Sequence, residues 1–233
     1  MTLSLIHVQP ATGTVAALTA TGGVAVGGYV HHVWRGLGAC ATQGLATNPW
    51  YPEGVRHALR QGHFAREALQ RVVQRDDGAS SRQCLVMDAN GQSAVHTGHD
   101  NLPVIASELR PTAAAAGNML ANEQVVATLL RTFLALSCAN PDDVWSRNAP
   151  PRYHDGYETH LPETLIEALD AALQAGGDNR GTRSAALRIE SFDAAPIDLR
   201  VDWDDAPAEA LRALVRRVRD PGFAAFLASL PKQ

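Results

Sequence analysis

The second residue of the chain has a type and a position that could support catalysis, because it would supply both a nucleophile and a base. Met1 is followed by Thr2, a residue small enough to allow removal of an initiator methionine. A chain that then begins with threonine carries a hydroxyl nucleophile and, in its own α-amine, a general base. The reference pKa of an α-amine is about 7.7–8.0, so much of it is unprotonated near neutral pH. Thr2 is therefore a candidate nucleophile; the alternative is that it is an ordinary residue without a special role.

Four other short segments place polar side chains next to small residues at the ends of predicted strands. Their candidate residues are Thr42, Gln43 and Asn48, then His96, then Asn118, and finally Asp178 with Arg180. Polar groups on loops that rigid elements hold are frequent carriers of function. Simpler explanations stay open for each segment. Gln43 and Asn48 could satisfy turn backbone, Asn118 could cap a following helix, and the glycines before Asp178 could end a helix.

A metal site is a further alternative, because His96, His99 and Asp100 lie close together in sequence. Their spacing does not place them on one helical face, so the sequence does not define a ligand geometry. The cysteines Cys40, Cys84 and Cys138 form no CxxC pair, which argues against a zinc cage or a disulfide framework and favours a reducing cytoplasm. Phosphate-loop, dinucleotide and G-x-S-x-G motifs are absent. We expect no cofactor and no metal.

Charge and composition limit the partners that the chain is expected to have. The 233 residues carry a formal net charge of -4, which argues against nucleic-acid and anionic-membrane partners. The N-terminus lacks the basic region of a signal peptide, and no stretch is predicted to span a membrane. Lys232 is the only lysine, so recognition of a carboxylate or phosphate would fall to arginine.

Two hairpins are predicted from turn residues between apolar runs. The first joins residues 4–8 to 13–20 through a Pro- and Gly-containing turn, and the second joins 83–88 to 93–97 through Asn90-Gly91. Residues 22–41, 182–189 and 197–201 are also predicted as strand. Helices are predicted over 52–75 with a break at Gly62, and over 122–136, 162–175 and 207–219. Hairpins with helices in separate blocks indicate an α+β fold and largely antiparallel sheets.

The ordered combination of short segments resembles a bacterial family, domain of unknown function 1028 (DUF1028), placed among the N-terminal-nucleophile (Ntn) hydrolases. The segments are Met1-Thr-Leu-Ser4, Pro10-Ala-Thr-Gly13, Val24-Ala-Val-Gly27, Ala41-Thr-Gln43, Thr47-Asn-Pro49, His96-Thr-Gly98, Gly117-Asn-Met-Leu120, Gly176-Gly-Asp178, Arg180-Gly181, Ser184-Ala-Ala-Leu187 and Asp198-Leu-Arg-Val-Asp202. The resemblance implies one domain over 1–233 with a four-layer αββα sandwich, in which two largely antiparallel sheets lie between helical layers. It also implies an N-terminal nucleophile, which falls on Thr2.

This resemblance leads to the hypothesis of an amide hydrolase that acts on a small molecule or short peptide. Thr2 would attack after loss of Met1, Ser4 and Gln43 would orient it, and Asn118 would donate to the oxyanion. Asp178 would hold the α-ammonium or a substrate amine. The proposed substrate-binding residues are Thr42, Asn48, His96 and Arg180, with Arg180 gripping a carboxylate. A homodimer is expected from the resemblance and from base rates.

The chain also departs from the family pattern at several positions near these segments. It has Val8-Gln9 where a typical member has Arg-Asp, Thr21-Gly22 in place of Ser-Arg, and Ala116 in place of Gln. The loss of two arginines favours an alternative function, a non-catalytic ligand-binding or scaffold protein on the same fold.

Overall fold

Ten strands form two antiparallel sheets in the computed structural model, within the residues that it describes, 2–144 and 149–231. The larger sheet contains β1 (Thr2–Gln9), β2 (Thr14–Thr21), β7 (Ala106–Arg110), β8 (Ala113–Asn118), β9 (Ser184–Glu190) and β10 (Ile197–Val201). Its strand order is β10-β9-β2-β1-β8-β7. The smaller sheet contains β3 (His31–Trp34), β4 (Gly38–Gly44), β5 (Arg82–Asp88) and β6 (Ser93–Thr97), which lie in sequence order.

The same part of the chain contains six α-helices in three blocks. They are α1 (Tyr51–Arg60), α2 (Ala65–Val73), α3 (Gln124–Ser137), α4 (Leu161–Gln174), α5 (Pro207–Val218) and α6 (Pro221–Ser229). Together with the two sheets they confirm a mixed α+β protein. Among the described residues, no helix combines the length and the apolar character needed to cross a bilayer.

Three apolar cores lie between these sheets and helices in the described part of the chain. The first lies between one face of the larger sheet and helices α3, α4 and α5, and it includes Leu5 and Phe133. The second lies between the two sheets and includes Ile6 and Met87. The third packs α1 and α2 on the outer face of the smaller sheet, around Val55. Since side chains alternate along a strand, consecutive residues of β1 contribute to different cores.

Both predicted hairpins are confirmed, and so is the helix break at Gly62, where φ is +85°. The prediction of strand over 22–41 needs correction, because a short 3₁₀ turn at Val26–Gly28 precedes β3 and a tight turn separates β3 from β4. The predicted elements do not include β7, β8 or α6. The four alanines of β8 explain its omission, since alanine is the best helix former and is depleted in strands.

Two buried histidines are expected to make the fold sensitive to acid. Burial lowers the pKa of His7 to about 4 and that of His31 to about 3. The unfolded chain takes up these protons below about pH 6.5, whereas the folded protein does so only near the lowered values. Stability should therefore fall as the pH drops from 6.5 to 4, by about 3 kcal/mol from His7 alone.

Urea unfolding at a series of pH values measures this effect. The replacement His7→Gln should flatten the dependence on pH, whereas His57→Gln on the exposed face of α1 should leave it unchanged. An unchanged slope in the His7 variant would contradict the assignment.

Candidate functional site

Thr2 begins a central strand of the larger sheet, where it is flanked on both sides. Its Cα lies opposite that of Thr21 in β2 and that of Asn118 in β8. The Thr2 hydroxyl donates to the Thr21 hydroxyl over 3.4 Å, and the side chain is only partly buried. Met1 lies outside the described residues. The Thr2 hydroxyl thus sits at a strand end, held by the sheet and not fully enclosed.

The face of β1 that carries Thr2 points toward the smaller sheet. Ile6 and Val8 on this face belong to the core between the sheets, and alternation places Ser4 and Thr2 on the same side. The same alternation along β4, β5 and β8 brings further side chains to this end of the inter-sheet core. These are Gln43, Gln83 and Asn118, all at least 98% buried. The inter-sheet core is thus apolar in its middle and polar at the Thr2 end.

Gln43 connects the two sheets directly beneath Thr2. The Ser4 hydroxyl donates to Gln43 Oε1 over 2.7 Å. Gln43 Nε2 lies 3.2 Å from the carbonyl oxygens of both Thr2 and Ala116, and 2.7 Å from Gln83 Oε1. Because the two backbone oxygens can only accept, they fix which end of the Gln43 amide faces them. Gln43 therefore holds the backbone of Thr2 in place.

Hydrogen-bond partners also fix the orientation of the next two amides, those of Gln83 and Asn118. Gln83 Nε2 lies 3.2 Å from the carbonyl oxygen of Gly117, so Gln83 Oε1 faces the opposite way, toward Gln43. Gln83 Oε1 also accepts from Asn118 Nδ2 over 3.2 Å. Asn118 Oδ1 is left buried and has no hydrogen-bond partner among the described residues. A buried acceptor without a partner is costly, so the site presents an oxygen that suits an N–H or ammonium donor.

Asp178 lies beside the same strand ends but bonds to the protein itself. Its Oδ2 accepts from the backbone N–H of Gly22 over 2.5 Å, directly after Thr21. The Arg180 guanidinium lies 3.2 Å from each carboxylate oxygen, and the Arg180 side chain is about half exposed. A bridge between Leu120 and Asp178 also ties this loop to the end of β8. The Asp178–Arg180 pair thus holds the loops on both sides of Thr2.

Gly22 is required by this close approach, and its replacement is expected to destabilise the site. A Cβ at Gly22 would lie 2.6 Å from both Asp178 Oδ2 and the carbonyl oxygen of Gly181. Gly22→Ala should therefore lower the free energy of unfolding by about 1–3 kcal/mol. The neighbouring Gly23→Ala is the matched control, because its Cβ would meet nothing closer than 3.7 Å. Chemical denaturation of both variants measures the difference, and equal stabilities would refute the close contact.

The structure does not bring Thr42, Asn48 or His96 to Thr2. The side chain of Thr42 lies on the opposite face of β4 from that of Gln43. Its hydroxyl donates to the carbonyl oxygen of Asn48 over 3.1 Å. Asn48 donates to Asp76 over 3.0 Å. His96 lies opposite Cys84, on the face of the smaller sheet that packs against α1 and α2, and its Nε2 lies 2.9 Å from the Ala79 carbonyl oxygen. These three residues support local structure away from Thr2.

The alternative metal site does not assemble either. The His99 side chain is 87% exposed and contacts Asp100 at 3.4 Å, while the Nε2 atom of His96 faces a backbone carbonyl. No group of three or more potential metal ligands occurs in the described parts of the chain.

The structure decides between the functional and the simpler explanations for Asn118 as a helix cap and for the glycines before Asp178 as a helix end. Asn118 ends β8 and does not cap α3, whose N-cap is Glu123. The glycines do end α4: Gly177, with φ of +55°, donates its N–H to the carbonyl oxygen of Ala172 over 3.0 Å. Gln83 is not among the candidate residues that the sequence indicates. The pattern that could have indicated it is a polar residue two positions before Leu85 and four before Met87, which places all three side chains on the inter-sheet face of β5.

The chain belongs to the DUF1028 family, whose model matches residues 2–211 and is described as a family of unknown function. Comparison with curated proteins finds no match. The chain is similar to a crystal structure of protein SPO2555 from Silicibacter pomeroyi, of the same family. The TM-score is 0.83 at 29% identity, over 99% of this chain and 92% of that one. A second structure, Anbu (ancestral beta-subunit) from Yersinia bercovieri, gives a TM-score of 0.37 at 11% identity, over 100% of this chain and 99% of that one.

Proposed function

We propose that the protein is an N-terminal-threonine hydrolase that cleaves an amide bond in a small molecule or short peptide. The observation that carries the proposal is the position of Thr2, at the end of the inter-sheet core where Ser4, Gln43, Gln83 and Asn118 form one buried hydrogen-bonded network. A buried network of this kind rigidifies what it touches. Here it touches the backbone of the residue that would carry both nucleophile and base.

The order of the three cores supports the finer fold assignment within this proposal. Helices α3–α5, the larger sheet, the smaller sheet and helices α1–α2 follow one another across the molecule. We propose that this arrangement is the four-layer αββα sandwich of the Ntn hydrolases. Thr2, the first residue of the central strand β1, lies at the edge of the two-sheet core.

In the proposed reaction the Thr2 hydroxyl oxygen attacks the substrate carbonyl carbon once Met1 has been removed. The α-amine of Thr2 accepts the hydroxyl proton and passes it to the leaving amine as the C–N bond breaks. The product of this step is an ester on Thr2. Water, deprotonated by the same amine, then hydrolyses the ester and restores the free hydroxyl.

Asn118 would contact both the α-amine and the oxyanion in this step. Its Cα lies opposite that of Thr2, and its unpartnered Oδ1 suits the α-amine as a hydrogen-bond donor. The amide nitrogen uses one hydrogen toward Gln83, and the second remains for the oxyanion. One oxyanion donor contributes about 2.7–4 kcal/mol to lowering the barrier. We assign positioning roles to Ser4 and Gln43.

Asp178 and Arg180 would position the site, since they bond to each other and Asp178 also accepts from the backbone N–H of Gly22. Arg180, whose side chain is about half exposed, is the group that we propose for a substrate carboxylate. Asp178 would then keep Arg180 in place.

A comparison of two forms of the protein tests the need for a free α-amine. One form begins at Thr2, and the other carries an extra residue before Thr2; both are screened against a panel of small amides and short peptides. The proposal expects hydrolysis by the first form alone. Equal activity of the two forms would contradict it, because the blocked form has no amine to act as base.

A further inference from the structure

A cleft with an excess of positive charge lies away from the Thr2 site. It has a volume of about 690 Å³ and is bordered by β3, α1 and β9. Its lining includes Trp34, Arg35, Arg56, Arg60, Arg188 and Glu190. Among the described residues that line the cleft, four guanidinium groups therefore face one carboxylate, in a chain whose formal net charge is -4. This charge distribution needs a physical explanation.

Register shows that the cleft lies apart from Thr2. Arg188 in β9 is opposite Ala17 in β2, which is in turn opposite Ile6 in β1. Ile6 is four residues beyond Thr2, a distance of about 13 Å along the strand. In the smaller sheet, Trp34 and Gly38 lie at the end remote from Gln43.

Two of the arginines lie on α1 and have no acidic partner. Arg56 and Arg60 are four residues apart on the same helix face, and no carboxylate of a described residue pairs with either. Like charges at this spacing destabilise a helix by about 0.2–0.5 kcal/mol. The Arg56 guanidinium lies over the ring of Trp34, 5.9 Å from its centroid, which holds it in place by a cation–π contact.

The other two arginines are also held in defined positions. Arg188 bonds to Glu190 Oε1 over 2.7 Å and to Asp198 over 3.0 Å. Arg35 lies over the Phe192 ring, 5.5 Å from its centroid. Glu190 is therefore largely satisfied by Arg188, and no carboxylate of a described residue pairs with Arg56 or Arg60. Guanidinium groups in fixed positions lose little conformational entropy when they bind carboxylate or phosphate.

We propose that this cleft binds a small anion with at least two carboxylate or phosphate groups. The volume falls within the range of small-molecule sites, so the ligand that we propose is a small molecule. One anionic group would pair with Arg56 and Arg60, and the other would reach Arg35 and the edge of Arg188. The bound anion would remove the repulsion between arginines. This proposal does not depend on the hydrolytic function of Thr2.

Calorimetric titration of the whole protein tests the proposal with two probes, pyrophosphate and citrate. They separate phosphate from carboxylate recognition, and sodium chloride at matched ionic strength controls for screening. The test variant is Arg56→Gln/Arg60→Gln. The control is Arg71→Gln/Arg75→Gln, which removes two exposed arginines at the same spacing near α2, outside the cleft.

We expect one site per chain for at least one probe. The cleft variant should weaken its affinity about tenfold or more, since charge-assisted bonds are lost. The control variant should bind within about twofold of the unmodified protein, as expected for screened surface charges. Equal weakening in both variants would show a general charge effect and overturn the proposal. Absence of binding beyond that of chloride for both probes would overturn it as well.

Discussion

Replacement of Thr2 by alanine is expected to abolish amide hydrolysis while leaving the fold intact. Loss of an activated nucleophile lowers kcat by on the order of 10⁶-fold in hydrolases whose hydroxyl nucleophile is activated by a base. The stability effect should be small, because the Thr2 hydroxyl makes one long contact, at 3.4 Å to Thr21, and is only partly buried. Activity is measured on any amide that the unmodified protein cleaves, and the fold by thermal unfolding.

Thr2→Ser is the matched control for this experiment. Serine keeps the hydroxyl and the α-amine, so this variant should retain measurable turnover and the same dependence on removal of Met1. Full activity in Thr2→Ala would show that another group is the nucleophile. Loss of activity in both variants together with loss of the folded state would instead assign Thr2 a structural role.

Replacement of Gln83 by leucine is expected to have the second largest effect, on stability and on activity together. Leucine is of similar size but removes the acceptor of Asn118 Nδ2 and the donor to the Gly117 carbonyl oxygen. A buried donor left without a partner costs about 1–3 kcal/mol, so the free energy of unfolding should fall by about 2–3 kcal/mol. Because Asn118 loses its fixed orientation, turnover should fall by about 100-fold.

The control for this prediction is Gln70→Leu on the exposed face of α2. It makes the same chemical change at the surface, and its stability should stay within about 0.5 kcal/mol of the unmodified protein. A Gln83 variant as stable as this control would refute the buried network. A destabilised variant with unchanged turnover would show that the network stabilises the fold but does not contribute to the proposed chemistry.

Turn residues and helical periodicity predicted much of the fold, because both are local signals. Asn90-Gly91 and the Pro- and Gly-containing turn before Thr14 defined both hairpins, and Gly62 marked the break between α1 and α2. The strand β8 could not be predicted in this way. Its alanines are buried on both faces between β1 and β7, and that tertiary environment overrides their helix propensity.

The candidate site could be predicted only in part, for a related physical reason. Thr42 and Gln43 are neighbours in sequence, but a strand sends them to opposite faces. Only Gln43 points to the core between the sheets, and sequence alone does not say which face meets Thr2. Gln83 and Asn118 come to Thr2 through the contact between the sheets, which arises from long-range packing. Asp178 and Arg180 are close enough in sequence to suggest a site, yet Asp178 bonds to Arg180 and to the backbone of Gly22.

The most direct test of the central claim is a tandem mass spectrum of the N-terminal peptide after the protein has reacted with an acylating β-lactone. The proposed mechanism predicts a peptide that begins with Thr2 and carries the acyl group on the Thr2 side-chain oxygen. Blocking the α-amine should prevent this labelling, since the hydroxyl then lacks its base. A peptide that still begins with Met1 in protein that hydrolyses amides, or an acyl group found only on another residue, would contradict the mechanism.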